Sequence, residues 1–466
     1  LSLIAVMVGE MRGDEPKGAA GASISEVLID AELAVRRQNA ELEKTLQAPT
    51  SVKFSDASLK EVVASLVEMH KTRIRVDSPS LNENGVVTLQ ALSLTLQSKP
   101  LSQVLNRVTR LSGSAWTVNR GEIIVTTPTK THEILETRTY RIGSLSRLAA
   151  QREAAVTNKP AGPATRATVR PVFGNASPTA EEALEESLKQ LLQEETVGPW
   201  SDLVGEGGTI SVLKDQLVVR QSYHGHREIA PLLQAVERAL QQPVGSPPLL
   251  VAKSETDAAD FARLSRVLGQ QVTLTFEETP LRDVLAELSE ELGEEIYLDL
   301  TPVNTKSIPL DRKVLLPDQK VSLPAIKSSV RSALRHLLSP LALTYTIHDG
   351  AIVILLQDQL SADLLTTMVY DISDLARTDD ERQELLEGLQ TATSAPWRQK
   401  RNGDGGTLTD FAASLFVIRQ SESAHADIAM MLHDLRQANR AAAKEPPPPR
   451  PDAVETRFVR AKSKDE

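Results

Sequence analysis

The chain has no cysteine, which excludes disulfides, thiolate metal sites and a cysteine nucleophile. Aromatic residues make up only 3%, so Leu, Val, Ile and Ala must supply most of the core. A surplus of positive charge is also missing. The 466 residues carry a formal charge of −10 at pH 7, which does not suit general binding to a phosphate backbone. We expect no nucleic-acid partner. The opening apolar run, Leu1 to Val8, is far shorter than the roughly 20 residues of a bilayer span, and no integral membrane span is expected. The run reads instead as the apolar part of a truncated signal peptide over 1–22, with small residues Gly18 to Ala22 behind it. The charges between them, such as Glu10 and Arg12, spoil a clean cleavage signal. A periplasmic or secreted location is expected.

The hydrophobic share of 41% and charged share of 24% are ordinary for a folded protein, and the length allows two to four domains. Residues 23–48 read as a helix. Ser23-Ile-Ser-Glu26 has the spacing of a capping box, and Val27, Leu28, Ala31 and Val35 recur at helical intervals. Beyond it come a short strand at Val52-Lys-Phe54, a second capping box at Ser58 and Glu61, and an apolar helix face through Leu59, Val62 and Leu66. Val87 and Leu89 share one strand phase and Leu92 and Leu94 the other, which predicts a bulge or break near Ala91. A helix through Leu101 and Leu105 follows, then a hairpin turning at Asn119-Arg-Gly121.

The same order returns from Val272. Phe276 through Leu281 repeats the spacing of Phe54 through Leu59, with Pro280 expected at the first helical position. Asp299 echoes Asp77, and Asp349-Gly350 marks a second hairpin turn. Later stretches correspond as well. Tyr140 answers to Tyr370, and Pro199-Trp200 before Gly207-Gly208 answers to Pro396-Trp397 before Gly405-Gly406. Gln221-Ser222 then matches Gln420-Ser421, and His226 matches His425. We read a tandem duplication of a two-part α+β unit, in the order A-B-A-B. A basic, Pro-rich insert at 147–179 occurs in the first copy only and is expected to be an unstructured surface loop. The tail from 442 to 466, with Pro446 to Pro449, reads as an extended spacer.

No constellation reads as an active site. His224 and His226 are two ligands at most, and a metal needs a third. His226 and His425 are better placed at a helix start, bonded to the preceding loop. Gly205 to Gly208 and Gly403 to Gly406 fit G-x-x-G, but each holds an acid, Glu206 or Asp404, that would repel phosphate. Tight turns explain these glycines better. Trp200 and Trp397 are expected as core plugs whose N–H groups bond a nearby carbonyl. Asp77 and Asp299 are expected to cap turns. Neither G-x-S-x-G nor H-E-x-x-H occurs, and no catalytic residue, cofactor or metal is expected.

The pattern Phe-x-x-x-x-Leu (Phe54, Leu59; Phe276, Leu281), an amphipathic helix, Ile-x-x-Asp (Ile74, Asp77; Ile296, Asp299), a second helix and a hairpin resembles the short N-terminal domain of secretins and TonB-dependent receptors. Residues 49–130 and 263–358 carry it. Residues 131–242 and 359–441 resemble the ring-building N-terminal domains of secretins, through the strand Leu217 to Ser222 and the helix at His226. A linker is expected at 243–262. The resemblance implies a non-catalytic envelope module that binds other envelope or secretion proteins or packs side by side into rings. The Pro-rich tail stands where a secretin has its gate, so pore formation is not expected. An alternative is an envelope ligand-binding protein or enzyme with a cleft between the repeats near Trp200 and Trp397. A third idea has the basic insert contacting an anionic surface.

Overall fold

The computed structural model describes residues 24–86, 91–157, 180–300, 316–393, 395–398 and 405–442. It is an α+β protein, and six small sheets hold its named strands.

Helix α1 (Ile24–Leu46) docks through Leu42 and Leu46, one turn apart, on the first core cluster. Ser23 of its expected capping box lies outside the described residues. Strand β1 (Pro49–Ala57) leads into helix α2 (Leu59–His70). The Ser58–Glu61 capping box forms, each side chain accepting from the other's backbone N–H. Strand β2 (Ile74–Val76) and helix α3 (Ser78–Glu83) follow. Strand β3 (Leu92–Pro100) then pairs antiparallel with β1. It starts where the second strand phase was expected; Val87 and Leu89 lie outside the described residues. Helix α4 (Leu101–Ser112) precedes the hairpin of β4 (Ala115–Asn119) and β5 (Glu122–Thr126). Its turn residues Arg120 and Gly121 both have left-handed φ, 48° and 74°, the type I′ geometry that matches strand twist. Strand β2 joins β5 in parallel.

The next unit starts with helix α5 (Pro128–Glu133), strand β6 (Leu135–Arg141) and helix α6 (Gly143–Thr157). Residues 147–157 of the expected loop are therefore helical, and 158–179 lie outside the described residues. Arg152 shows why the helix extends. Its guanidinium donates to the carbonyls of Ala239, Leu240 and Gln242 at the end of another helix, groups that have no intrahelical partner. Helices α7 (Ala180–Glu195) and α8 (Ser201–Val204), strands β7 (Thr209–Leu213) and β8 (Gln216–Ser222), and helix α9 (Tyr223–Gln241) complete the unit. The sheet order is β6-β8-β7.

The expected linker at 243–262 is corrected by two elements. Leu249–Val251 form strand β9, and helix α10 (Glu255–Gly269) starts at the N-cap Ser254. The apolar Leu249 and Val251 make the strand useful, because they extend a later sheet and pack against a core cluster. Strand β10 (Gln271–Pro280) and helix α11 (Leu281–Leu292) follow, with Pro280 at the cap rather than inside the helix. Its ψ of 137° is extended, so the helix begins one residue later than expected.

Strands β11 (Ile296–Leu298) and β12 (Lys320–Ser329), helix α12 (Val330–Leu338), and strands β13 (Leu343–His348) and β14 (Ala351–Leu356) make up the next core. Strand β10 pairs antiparallel with β12, and β11 runs parallel to β14. These pairings correspond to β1 with β3 and β2 with β5. Strand β15 (Thr366–Asp371), helix α13 (Asp379–Ala392), strands β16 (Thr407–Phe411) and β17 (Leu415–Gln420) and helix α14 (Glu422–Ala442) end the described chain. Their sheet has the order β16-β17-β15-β9.

That last sheet differs from its earlier counterpart in one respect. Side chains alternate faces along a strand. Tyr370, Phe416 and Ile418 point into the cluster that holds Trp397 and α14 residues. Val369, Leu415 and Val417 point the other way, into the cluster built by α7 and α9 of the first half. Both faces are thus covered, and every residue of β17 is buried.

Candidate functional site

Two buried anchors recur in the later units. His226 bonds the Tyr140 hydroxyl through Nδ1 at 2.8 Å and the Glu136 carbonyl through Nε2 at 2.9 Å. His425 repeats this with Tyr370 at 2.9 Å and the Thr366 carbonyl at 2.8 Å. The partner of each ring is therefore a strand of the sheet, not the preceding loop. A loop bond would tie the helix only to itself; the strand bond ties it to the sheet. Burial pushes both imidazoles down to about 4, so they are neutral at pH 7. His224 turns elsewhere and bonds the Trp116 carbonyl at 2.6 Å. No group of metal-holding side chains exists among the described residues.

Gln221 and Gln420 form a second pair of anchors that sequence reasoning passed over. Each side-chain N–H donates to the proline carbonyl of the Pro-Trp loop, Pro199 at 3.1 Å and Pro396 at 2.9 Å. Each side-chain oxygen accepts from the next backbone N–H, of Ser222 or Ser421. The glycines leave room for this clamp. A Cβ on Gly208 would come within 2.7 Å of the Arg220 carbonyl, and one on Gly405 within 2.7 Å of the Pro396 carbonyl. Gly403 lies outside the described residues. The signal was available: a Gln-Ser pair stands at matching places behind both Pro-Trp loops.

The tryptophans sit in separate cores, 2% and 1% exposed. Their expected carbonyl bonds are not made. Trp397 Nε1 donates to the Thr393 hydroxyl at 3.0 Å, and Trp200 Nε1 has no partner among the described residues. The Pro-Trp carbonyls nearby are already taken by the glutamine clamp. Asp77 accepts from the Thr126 hydroxyl at 2.9 Å. Asp299 pairs with Arg110 of α4. Asp299 is buried, and a buried carboxylate is costly without a cation beside it.

The halves meet around a cavity of about 120 Å³, room for several waters. Gln103 of α4, Glu228 of α9, Lys253, Asp349 of the β13–β14 turn and Arg419 of β17 all line it. Arg419 binds Glu228 with two bonds of 3.0 and 3.1 Å, and donates to the Glu195 and Ala362 carbonyls. Lys253 Nζ lies 2.9 Å from the same glutamate. Burial alone would raise the Glu228 carboxyl, but Arg419 and Lys253 hold it down at about 2. Glu195 has the opposite balance. Burial pushes it up to about 7, although the hydroxyls of Thr407 and Thr409 donate to it at 2.9 and 2.8 Å. Across the cavity, Lys99 donates to the Gly350 carbonyl and Asn106 to Asp349, and the Arg107 guanidinium lies over the Tyr297 ring. Most of the charge here is spent on joining the halves. Gln103 Oε1 is the exception, buried and without a partner among the described residues. The sequence reading put a cleft between the repeats near Trp200 and Trp397, which do not line this cavity, and it read Asp349-Gly350, which do, only as a hairpin turn.

No described helix is long and apolar enough to cross a membrane. No family model matches the chain, and no curated protein matches it. Among solved structures, one titled "Structure of XcpQN012", from a secretin N-terminal domain, is similar at 11% identity, covering 62% of this chain and 95% of that chain with a TM-score of 0.16.

Proposed function

We propose that the chain is a non-catalytic assembly module of the cell envelope, one that binds other envelope or secretion proteins or further copies of itself. Its units would be bounded near residues 130, 242 and 358. The observation that carries this reading is the double-covered sheet of β15, β16 and β17, which takes one apolar face from its own helices and the other from α7 and α9. Units that stack in this way present a sheet at one end and helices at the other. Strands β6 and β7 are edges of their sheet, and an edge can accept a partner strand. Crosslinking in cells followed by pull-down from envelope fractions tests the reading. Specific protein partners in the envelope support it; recovery from the cytosol alone, without a protein partner, overturns it.

A second reading places a small polar ligand in the cavity between the halves. Gln103 Oε1 favours it, as a buried acceptor awaiting a donor. A melting temperature unmoved by a broad panel of small polar compounds counts against it.

A further inference from the structure

The packing between the two halves uses one face of a sheet and one face of a helix layer, and each half owns both. The sheet registers align the halves residue by residue. Thr209 and Thr139 stand opposite Arg220 and Val218 as Thr407 and Val369 stand opposite Arg419 and Val417. In the second half this face is buried under the helices of the first. In the first half the same face is open: Thr139, Ser211, Leu213 and Arg220 are exposed, Leu213 by 64%.

The helix layer shows the converse. The matched histidines set Glu228 beside Asp427 and Leu232 beside Met431 in the alignment of α9 with α14. In the first half this surface holds the second sheet. In the second half it is a groove lined by Asp427, Met430, Met431, Asp434 and Leu435. Met430 is 65% exposed and Leu435 38%.

We propose that the open sheet face of one molecule docks into the α13–α14 groove of a second copy, continuing between molecules the packing that joins the halves within one. The inference rests on the assembly reading above and names its partner. Continuity with the internal interface is one support. Charge is the other: Arg141 and Arg220 lie on the sheet face, Asp427 and Asp434 in the groove. Arg220 would meet Asp427 as Arg419 meets Glu228. Asp427 already binds Arg335 at 2.8 Å, just as Glu228 is shared between Arg419 and Lys253. The contact is head to tail, so it builds rings or filaments rather than closed pairs.

Sedimentation velocity on the purified full chain tests this. The wild type should form dimers and larger species as concentration rises. Leu213→Asp disables the sheet face and Met430→Asp the groove, and each should weaken association at least about tenfold. Both residues are exposed, so the fold should survive, as circular dichroism would verify. Mixed together, the two variants keep one working face each and should form a 1:1 dimer that does not grow. A wild type that stays monomeric at the highest attainable concentration overturns the proposal. So does association that either variant leaves intact, or a mixture that yields no dimer. Because only the purified chain is used, these failures would leave capture of other envelope proteins standing.

Discussion

Arg419 of β17 and Glu228 of α9 form a buried ion pair, with Nη2 of the arginine donating to both carboxylate oxygens at 3.0 and 3.1 Å, that ties the two halves of the chain together. Arg220 holds the same register position in the first sheet and lies exposed. The two arginines should therefore respond differently to removal. Arg419→Ala leaves Glu228 buried with Lys253 and the Val197 N–H as partners and should cost about 3–5 kcal/mol. Arg220→Ala should stay within about 0.5 kcal/mol. Urea unfolding of both variants checks the contrast, and equal losses would contradict it.

Glu195 makes stability depend on pH. Its carboxyl titrates at about 7 in the folded chain against 4.5 ordinarily. Between those values the folded state binds the proton more tightly, so stability falls as pH rises through the window. The shift corresponds to roughly 3 kcal/mol. Glu195→Gln removes the buried charge, and its stability relative to wild type should be greater at pH 8 than at pH 5. Denaturation midpoints at the two pH values measure this.

The histidines act in the opposite direction. His226 and His425 titrate at about 4 when folded, against an ordinary 6.5. Their contribution is complete above pH 6.5 and is lost as pH falls through 4, because the unfolded chain takes up the protons first. In His226→Gln the acid limb of the stability curve should be shallower. The variant should also lose about 2 kcal/mol at neutral pH, where the Tyr140 hydroxyl and Glu136 carbonyl lose a partner. A series of melting curves from acid to neutral pH reads both effects.

Glycines in the Pro-Trp loop separate two kinds of constraint. Gly205 has φ +80° but open space where a Cβ would sit, whereas a Cβ on Gly406 would lie within 2.5 Å of the Arg419 carbonyl. Gly205→Ala should cost about 1 kcal/mol of backbone strain. Gly406→Ala must displace backbone and should cost more than about 3 kcal/mol. Thermal melts of the two variants give the comparison.

Local chemistry made much of the fold legible. The capping box at Ser58 and Glu61 and the Asn119-Arg-Gly121 and Asp349-Gly350 turns could be read from spacing alone. The junction could not. Arg220 and Arg419 sit in nearly the same sequence context, Val-Val-Arg-Gln-Ser and Val-Ile-Arg-Gln-Ser, yet one is exposed and the other buried. Their difference arises from packing between segments far apart in the chain, which no local pattern encodes. Strand β9 was hidden for a related reason. Leu249 to Val251, three apolar residues directly behind two prolines, read as a linker until a neighbouring sheet edge gives them a partner.

The double-covered sheet also orders the chain's synthesis. The first half emerges from the ribosome before the second, and domains tend to fold as they appear. Helices α7 and α9 would then already be in place when β15 to β17 arrive. The early half would act as a built-in chaperone for the late one, shielding Val369, Phe411, Leu415 and Val417 before they could aggregate. The sheets do not share this service equally, because among the described residues the outer face of β6, β7 and β8 is exposed.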